Sequence, residues 1–464
     1  MRRHHPTDSA RRRRSRGVRS ATAVLCVAAV SAGTVIASAS ARSTVAHRAA
    51  SSGVQGPAKA SLTVQLWGTT TVFANIWKSY TRNFRQDAQQ ETATARSAGA
   101  NDQVSVSAFR LELSSGSNIP DIILLNRTEV PEFAATHQLA NIGALIQKYV
   151  PGMSTSARAL MQYNGSYIGV PYNINEKLWF YRKDLFAQAG INVNQIKTQA
   201  AFIAAGKKLH AKFPNDYIWN IASSPQAYVV GELESGNGTQ IFDKKTGRFV
   251  VARDPGLREA FTSLAELRAS GVVDTQFDDF SPQWQAALAD GQVASVPSGS
   301  WMAEFLPMYA PKLAGDWGVT TWPSLGGDAN GGGSEAGGPV MVIPNQIPTA
   351  DKDAAVRFLI DMFMTKKGSL LTYKIGNVVP NVTAAQGAPA VVKNSYFGSS
   401  FIKAYKAASA NYKVLNYDPS ALLEIQIINN SLDTFLASGS TNPSSALRTA
   451  QQDMTAQIGN PFKK

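Results

Sequence analysis

The sequence predicts an α/β fold arranged as two lobes, and three observations carry that expectation. A chain of 464 residues exceeds one ordinary domain. Short apolar strand patterns alternate along it with helical ones, the mark of a sheet covered by helices. The run Ile119-Pro120-Asp121-Ile122-Ile123-Leu124-Leu125 is continuous and apolar, as strands buried on both faces of a parallel sheet are. With 44% hydrophobic and 17% charged residues, the composition supports large cores and excludes a disordered chain, a collagen-like fibre or a polytopic membrane protein.

Residues 1–41 read as a secretion signal peptide. An arginine-rich stretch precedes the apolar run 21–36, and small residues follow, ending Ala37-Ser38-Ala39-Ser40-Ala41, so cleavage is expected after Ala41 and the mature protein is expected at the extracellular face of the cell membrane. The alternative is an uncleaved anchor, since 21–41 is just long enough to span a bilayer. Arg13-Arg14-Ser15-Arg16-Gly17 lacks the apolar residues that follow the pair in a twin-arginine signal. Cys26, the single cysteine, follows bulky Leu25 early in the apolar run, a poor setting for lipidation. Its removal with the leader would take away disulfides, thiolate metal sites and cysteine nucleophiles together.

The leader also explains the charge. It holds eight of the 45 basic residues and one of the 32 acidic ones, so the net +13 of the chain falls to +6 without it. No basic cluster remains, and no nucleic-acid partner is expected. Residues 42–61, rich in Ser, Ala and Gly, read as a flexible tether.

Order is expected to begin with an alternating strand at 62–67, stopped by Gly68, then a helix with Phe73, Ile76, Trp77, Tyr80 and Phe84 at spacings of three and four. A Pro-led helix at 131–136 follows the apolar strand. Further strands are expected at 167–171, 177–181, 293–296, 317–321 and 340–343, and helices at 184–189, 200–212, 256–270, 353–365 and 422–437. The Gly-rich segment 326–338 has no Lys-Ser or Lys-Thr after its glycines and reads as a loop rather than a phosphate cradle.

Beyond the leader, the histidines are His47, His137 and His210, widely separated and without metal-ligand spacing. There is no G-x-S-x-G elbow. Asp278-Asp279 and the pair Asp351 and Asp353 sit in turn-like sequence that suits helix N-termini. No cofactor, metal or catalytic residue is expected. The enzyme alternative is a secreted glycoside-processing protein, which needs two carboxylates converging in one cleft.

Seven segments in order carry a resemblance: LTVQLWG at 62–68, IPDIILLN at 119–126, YIGVPYNINEKLWFYRKDLFAQAGI at 167–191, ALADGQVASVPSGSW at 287–301, WGVTTWPSLGG at 317–327, GGPVMVIPNQ at 337–346 and GNVVPN at 376–381. From Leu62 to Ile458 the chain resembles the extracellular solute-binding proteins of ABC importers, in the carbohydrate-binding group that includes maltose-binding protein. The resemblance implies a two-lobed periplasmic-binding-protein-like fold of class II type that closes on its ligand about a hinge. It implies an N-terminal lobe of 62–173 and 339–390 and a C-terminal lobe of 174–338 and 391–464, with crossings near 172–176, 335–339 and 385–395. The implied partners are a sugar or oligosaccharide and the membrane subunits of an ABC permease, with the receptor itself a monomer. A non-sugar ligand such as a polyamine, peptide or phosphodiester is the alternative.

Sugars offer hydroxyls for polar side chains and flat C–H faces for aromatic rings. On that logic the resemblance implies that Trp301, after Gly299-Ser300, stacks on sugar. Trp67 and Thr69 follow the first strand, Asn126 and Glu129 the strand after Asp121, and Tyr172 and Asn175 fall at the first crossing, Asn175 where a relative has an acid. Tyr228 lies near an aromatic contact of the second lobe. Trp322 and Gly338 flank the second crossing, and Glu424 stands where the maltose-binding group has an aromatic pair at the start of helix 422–437. These eleven residues are the expected ligand contacts.

Overall fold

The structure is a computed structural model that describes residues 60–67, 70–84, 91–99, 102–221, 239–243, 245–322, 338–410 and 417–460. Its organisation follows from two sheets. The first has five strands in the order Glu91–Ser97, Ala60–Leu66, Ile122–Leu125, Val340–Val342 and Gly169–Pro171. The first three run parallel, while Val340–Val342 runs antiparallel to both of its neighbours. Ile122–Leu125 is buried along its whole length, as its uninterrupted apolar sequence requires. Asp121 starts it by accepting the Thr63 N–H on Oδ2 at 2.6 Å.

Helices cover this sheet by burying one apolar face each. Thr71–Asn83 buries Phe73, Ile76 and Tyr80, and Asp102–Ser115 buries Val106, Phe109 and Leu113, spacings that fall on one side of a helix. The core they build draws on 60–174 and again on 340–385. The chain therefore leaves this lobe and returns to it, which is why Val340–Val342 can sit in the middle of the sheet.

The second lobe centres on an antiparallel sheet in the order Ser295–Gly299, Lys177–Arg182, Trp317–Thr321. Trp219–Asn220 and Val273–Asp274 form a short parallel pair beside it. Two apolar clusters fill this lobe: one around Trp179, Phe202, Phe261 and Phe435, the other around Trp284, Trp317, Phe397, Phe401 and Tyr405.

The expected elements are present with shifted ends. The 293–296 strand is Ser295–Gly299. The 353–365 helix is Thr349–Leu359, and the chain then widens into a π-type turn at Ile360–Met364. The strand Glu91–Ser97, of sequence ETATARS, has only Ala93 and Ala95 to mark an inward face, and among the described residues it pairs with Ala60–Leu66 alone, as an edge strand. Among the described residues no helix is long and apolar enough to cross a membrane.

Candidate functional site

Register decides which residues meet. In the first sheet Gln65 pairs with Ile123, Leu125 with Val340, and Val340 with Pro171. The parallel strands thus end where the antiparallel Val340–Val342 begins, and the residues just beyond share one rim: Trp67 after Leu66, Asn126 after Leu125, Tyr172 after Pro171, and Gly338 two residues before Val340. The Tyr172 N–H donates to the Pro339 carbonyl at 2.9 Å. In the second sheet Lys177 pairs with Gly299, and Leu178 with both Ser298 and Thr321. Asn175, Ser300-Trp301 and Trp322 accordingly share the rim of the second lobe. Ligands of open α/β sheets bind beyond the carboxyl ends of strands, where these rims lie.

The segment 172–176 joins the two rims. Asn175 is buried, and the Ser300 hydroxyl donates to the Ile174 carbonyl at 2.8 Å and lies 3.5 Å from Asn175 Oδ1. The Asn173 amide donates from Nδ2 to Glu304 Oε1 at 3.0 Å. Glu304 stands in the first turn of the helix Met302–Tyr309, directly after Trp301. Burial pushes its carboxyl up to about 8, against the opposing effect of the Asn173 hydrogen bond. The Tyr172 hydroxyl is raised by its own burial and by the neighbouring Glu304.

Aromatic surface borders this polar group on both sides. Trp67 and Tyr172 are half-buried against the first lobe's core, and the Tyr172 ring lies 5.8 Å from that of Phe363. On the other rim the partly exposed Trp301 ring packs 5.6 Å from Phe280 and 5.7 Å from Phe305. Phe280 is held at φ 65°, a conformation that aromatic residues seldom adopt.

Not every expected contact is presented to a ligand. Trp322 is 4% exposed, its ring enclosed by Trp179, Phe202 and Trp219 at centroid distances of 6.0, 5.8 and 5.6 Å. Its apolar surface is consumed by packing, with Lys177 Nζ 5.6 Å from the ring centre. Glu129 is wholly buried: its Oε2 accepts the Asn126 N–H at 2.7 Å, and burial, then the charge of Asp102, holds its carboxyl well above the usual range. It shapes the loop that carries Asn126 rather than facing the rim. The Asn126 amide in turn donates to Asp102 Oδ2 at 2.6 Å. Glu424 is 1% exposed in the first turn of Ala421–Ala437, where neighbouring Leu422 packs on the first lobe's core and Leu423 on the second's. Thr69 and Tyr228 lie outside the described residues.

Sequence reading did not find Asn173, Glu304, Phe280 or Phe305. Only the i, i+3 step from Trp301 to Glu304, which places the two side chains on one helix face, was available to point to one of them. Among the described residues no group of three His, Cys, Asp or Glu side chains could hold a metal ion.

Known proteins share this fold. The chain is 22% identical over 367 residues to an arabinooligosaccharide-binding protein of Halalkalibacterium halodurans, covering 75% of this chain and 79% of the relative. The ABC-transporter-associated binding protein of B. animalis subsp. lactis, solved with β-1,6-galactobiose, superposes with a TM-score of 0.73 at 20% identity, covering 87% of this chain and 99% of that one. The GacH receptor of Streptomyces glaucescens, solved unliganded and with acarbose, gives 0.72 at 19% identity over 88% and 100%. Such identities establish the two-lobed fold. The family profile of bacterial extracellular solute-binding proteins matches residues 86–397, and the chain belongs to that family.

Proposed function

We propose that this protein is the sugar-capturing receptor of an ABC-type importer, holding a mono- or oligosaccharide between its lobes and delivering it to the permease subunits in the membrane. The observation that carries this reading is the pairing of two rims across the 172–176 crossing. Trp67, Asn126 and Tyr172 stand on one and Trp301 on the other, with Asn175 buried in the crossing between them. Rings give a sugar's C–H faces a surface to lie on, and amides and carboxyls meet its hydroxyls. The names of the arabinooligosaccharide-, galactobiose- and acarbose-binding relatives support the same ligand class.

The mechanism is capture without bond chemistry. Crossing segments join the two lobes, the arrangement in which hinge closure on a ligand operates. A sugar that touches both rims binds the closed form better than the open one and shifts the population toward it. Secretion through the leader 1–41 would place the receptor outside the cell, where the importer meets its substrate.

The test is a thermal-shift and calorimetric screen of residues 42–464 against mono- and oligosaccharides, with polyamines and peptides as controls. Ligand at 100 times its dissociation constant should stabilise the folded state by about 2.7 kcal/mol. Stabilisation by one sugar class, with no product formed, supports the reading. A response confined to polyamines or peptides, or conversion of the sugar, overturns it.

A further inference from the structure

Glu304 has the placement of a ligand-reading group. It lies three residues after Trp301, and its N–H donates to the Trp301 carbonyl at 2.9 Å, so the carboxyl and the indole project from one helix face. Its Oε1 is taken by Asn173 Nδ2 from the crossing segment at 3.0 Å. Its Oε2 has no hydrogen bond to protein among the described residues and is not enclosed, since the residue is partly exposed. Tyr172, from the same crossing segment, is close enough to Glu304 for the carboxylate to raise its hydroxyl.

We propose that Glu304 is a specificity-determining residue of this receptor, its Oε2 bonding one hydroxyl of the sugar ring that packs against Trp301. This rests on the sugar-receptor reading above. The Asn173 bond fixes the carboxyl plane, so a single direction is offered to the ligand, and a hydroxyl of the wrong epimer would leave Oε2 unmatched. A site built around a fixed polar partner discriminates against the analogue lacking that hydroxyl far more sharply than an apolar pocket does. Because burial raises this carboxyl toward neutrality, it can donate as well as accept near pH 7.

The experiment is calorimetric titration of residues 42–464 with lactose, maltose, arabinobiose and β-1,6-galactobiose, within a panel of mono- to tetrasaccharides. The monodeoxy analogues of the best binder follow, against wild type, Glu304→Ala, Glu304→Gln and Asn173→Ala, each checked for a native melting transition. One deoxy analogue should lose about tenfold on wild type and nothing further on Glu304→Ala, and Glu304→Gln should restore most of the affinity for the parent sugar at pH 6. Asn173→Ala, which leaves the carboxyl in place, should weaken all sugars without exchanging their order. Equal losses for every deoxy analogue on wild type and Glu304→Ala would overturn this role while leaving the receptor reading intact. Binding of no sugar in the panel by wild type would overturn that reading, and this proposal with it.

Discussion

Glu91 and Arg357, 266 residues apart in sequence, meet in the first lobe with Arg357 Nη2 2.5 Å from Glu91 Oε1. Both are buried, and the Tyr80 hydroxyl donates to Glu91 Oε2 at 2.9 Å. The pair fastens the edge strand Glu91–Ser97 to the helix Thr349–Leu359, which the chain forms only after building the second lobe. Removing one partner strands a charge in a core, so Arg357→Met should cost about 3–5 kcal/mol. Urea unfolding of the variant checks this, and an unchanged midpoint would contradict the account.

Trp301 and Trp322 should separate binding from stability. Trp322 is enclosed by three rings, and Trp322→Ala leaves a cavity expected to cost about 3–5 kcal/mol. Trp301 is partly exposed on the rim, and Trp301→Ala should leave the melting temperature nearly unchanged while sugar affinity falls roughly tenfold, equivalent to about 1.4 kcal/mol. Parallel melting and calorimetry on the two variants decide it, and the reverse pattern would exchange their roles.

The Glu304 carboxyl, raised from 4.5 to about 8, gives stability a defined pH dependence. Between those values the folded chain keeps a proton that the unfolded chain releases, so stability falls as pH rises. The contribution is complete below 4.5 and is lost as pH passes through 8. The groups facing it from the crossing are Tyr172 and Asn173. Melting temperatures between pH 6 and 9 should therefore decline more steeply in wild type than in Glu304→Gln. Identical slopes would remove Glu304 as the cause.

Gly169 is needed where Gly169–Pro171 packs against Val340–Val342. A Cβ there would lie 2.6 Å from the Met341 carbonyl oxygen and 2.7 Å from Val340 Cγ1, so the strand pair could not keep its register. Gly169→Ala should destabilise by about 1–3 kcal/mol, the range for an overpacked core. A chemical denaturation curve matching wild type would show that the strand shifts without penalty.

How far the site could be read in advance depends on the kind of signal. The apolar run before Asn126 and the alternation before Trp67 identify strand ends, and strand ends in parallel sheets are where ligands gather, so those two positions could be named from local pattern. Trp322 shows the limit: a tryptophan after a strand reads alike whether its ring faces the cleft or the core, and here Trp179, Phe202 and Trp219 surround it. Glu129 and Glu424 fail as rim contacts for a related reason. Carboxylates in helix-start sequence suggest exposure, and only packing from distant segments buries them.

The α/β class, the order of most strands and helices and the resemblance to the family were legible in the chain alone, because hydrophobic periodicity and short motifs are local properties. Tertiary structure alone decided that Val340–Val342 completes the first lobe's sheet, that Arg357 neutralises Glu91, and that Asn173 orients Glu304 beside Trp301. Those relationships join segments 131 to 266 residues apart. Nothing in the local pattern encodes them: the first two join parts of one lobe that the chain separates by building the other lobe between them, and the third lies where the crossing segment must satisfy its polar groups.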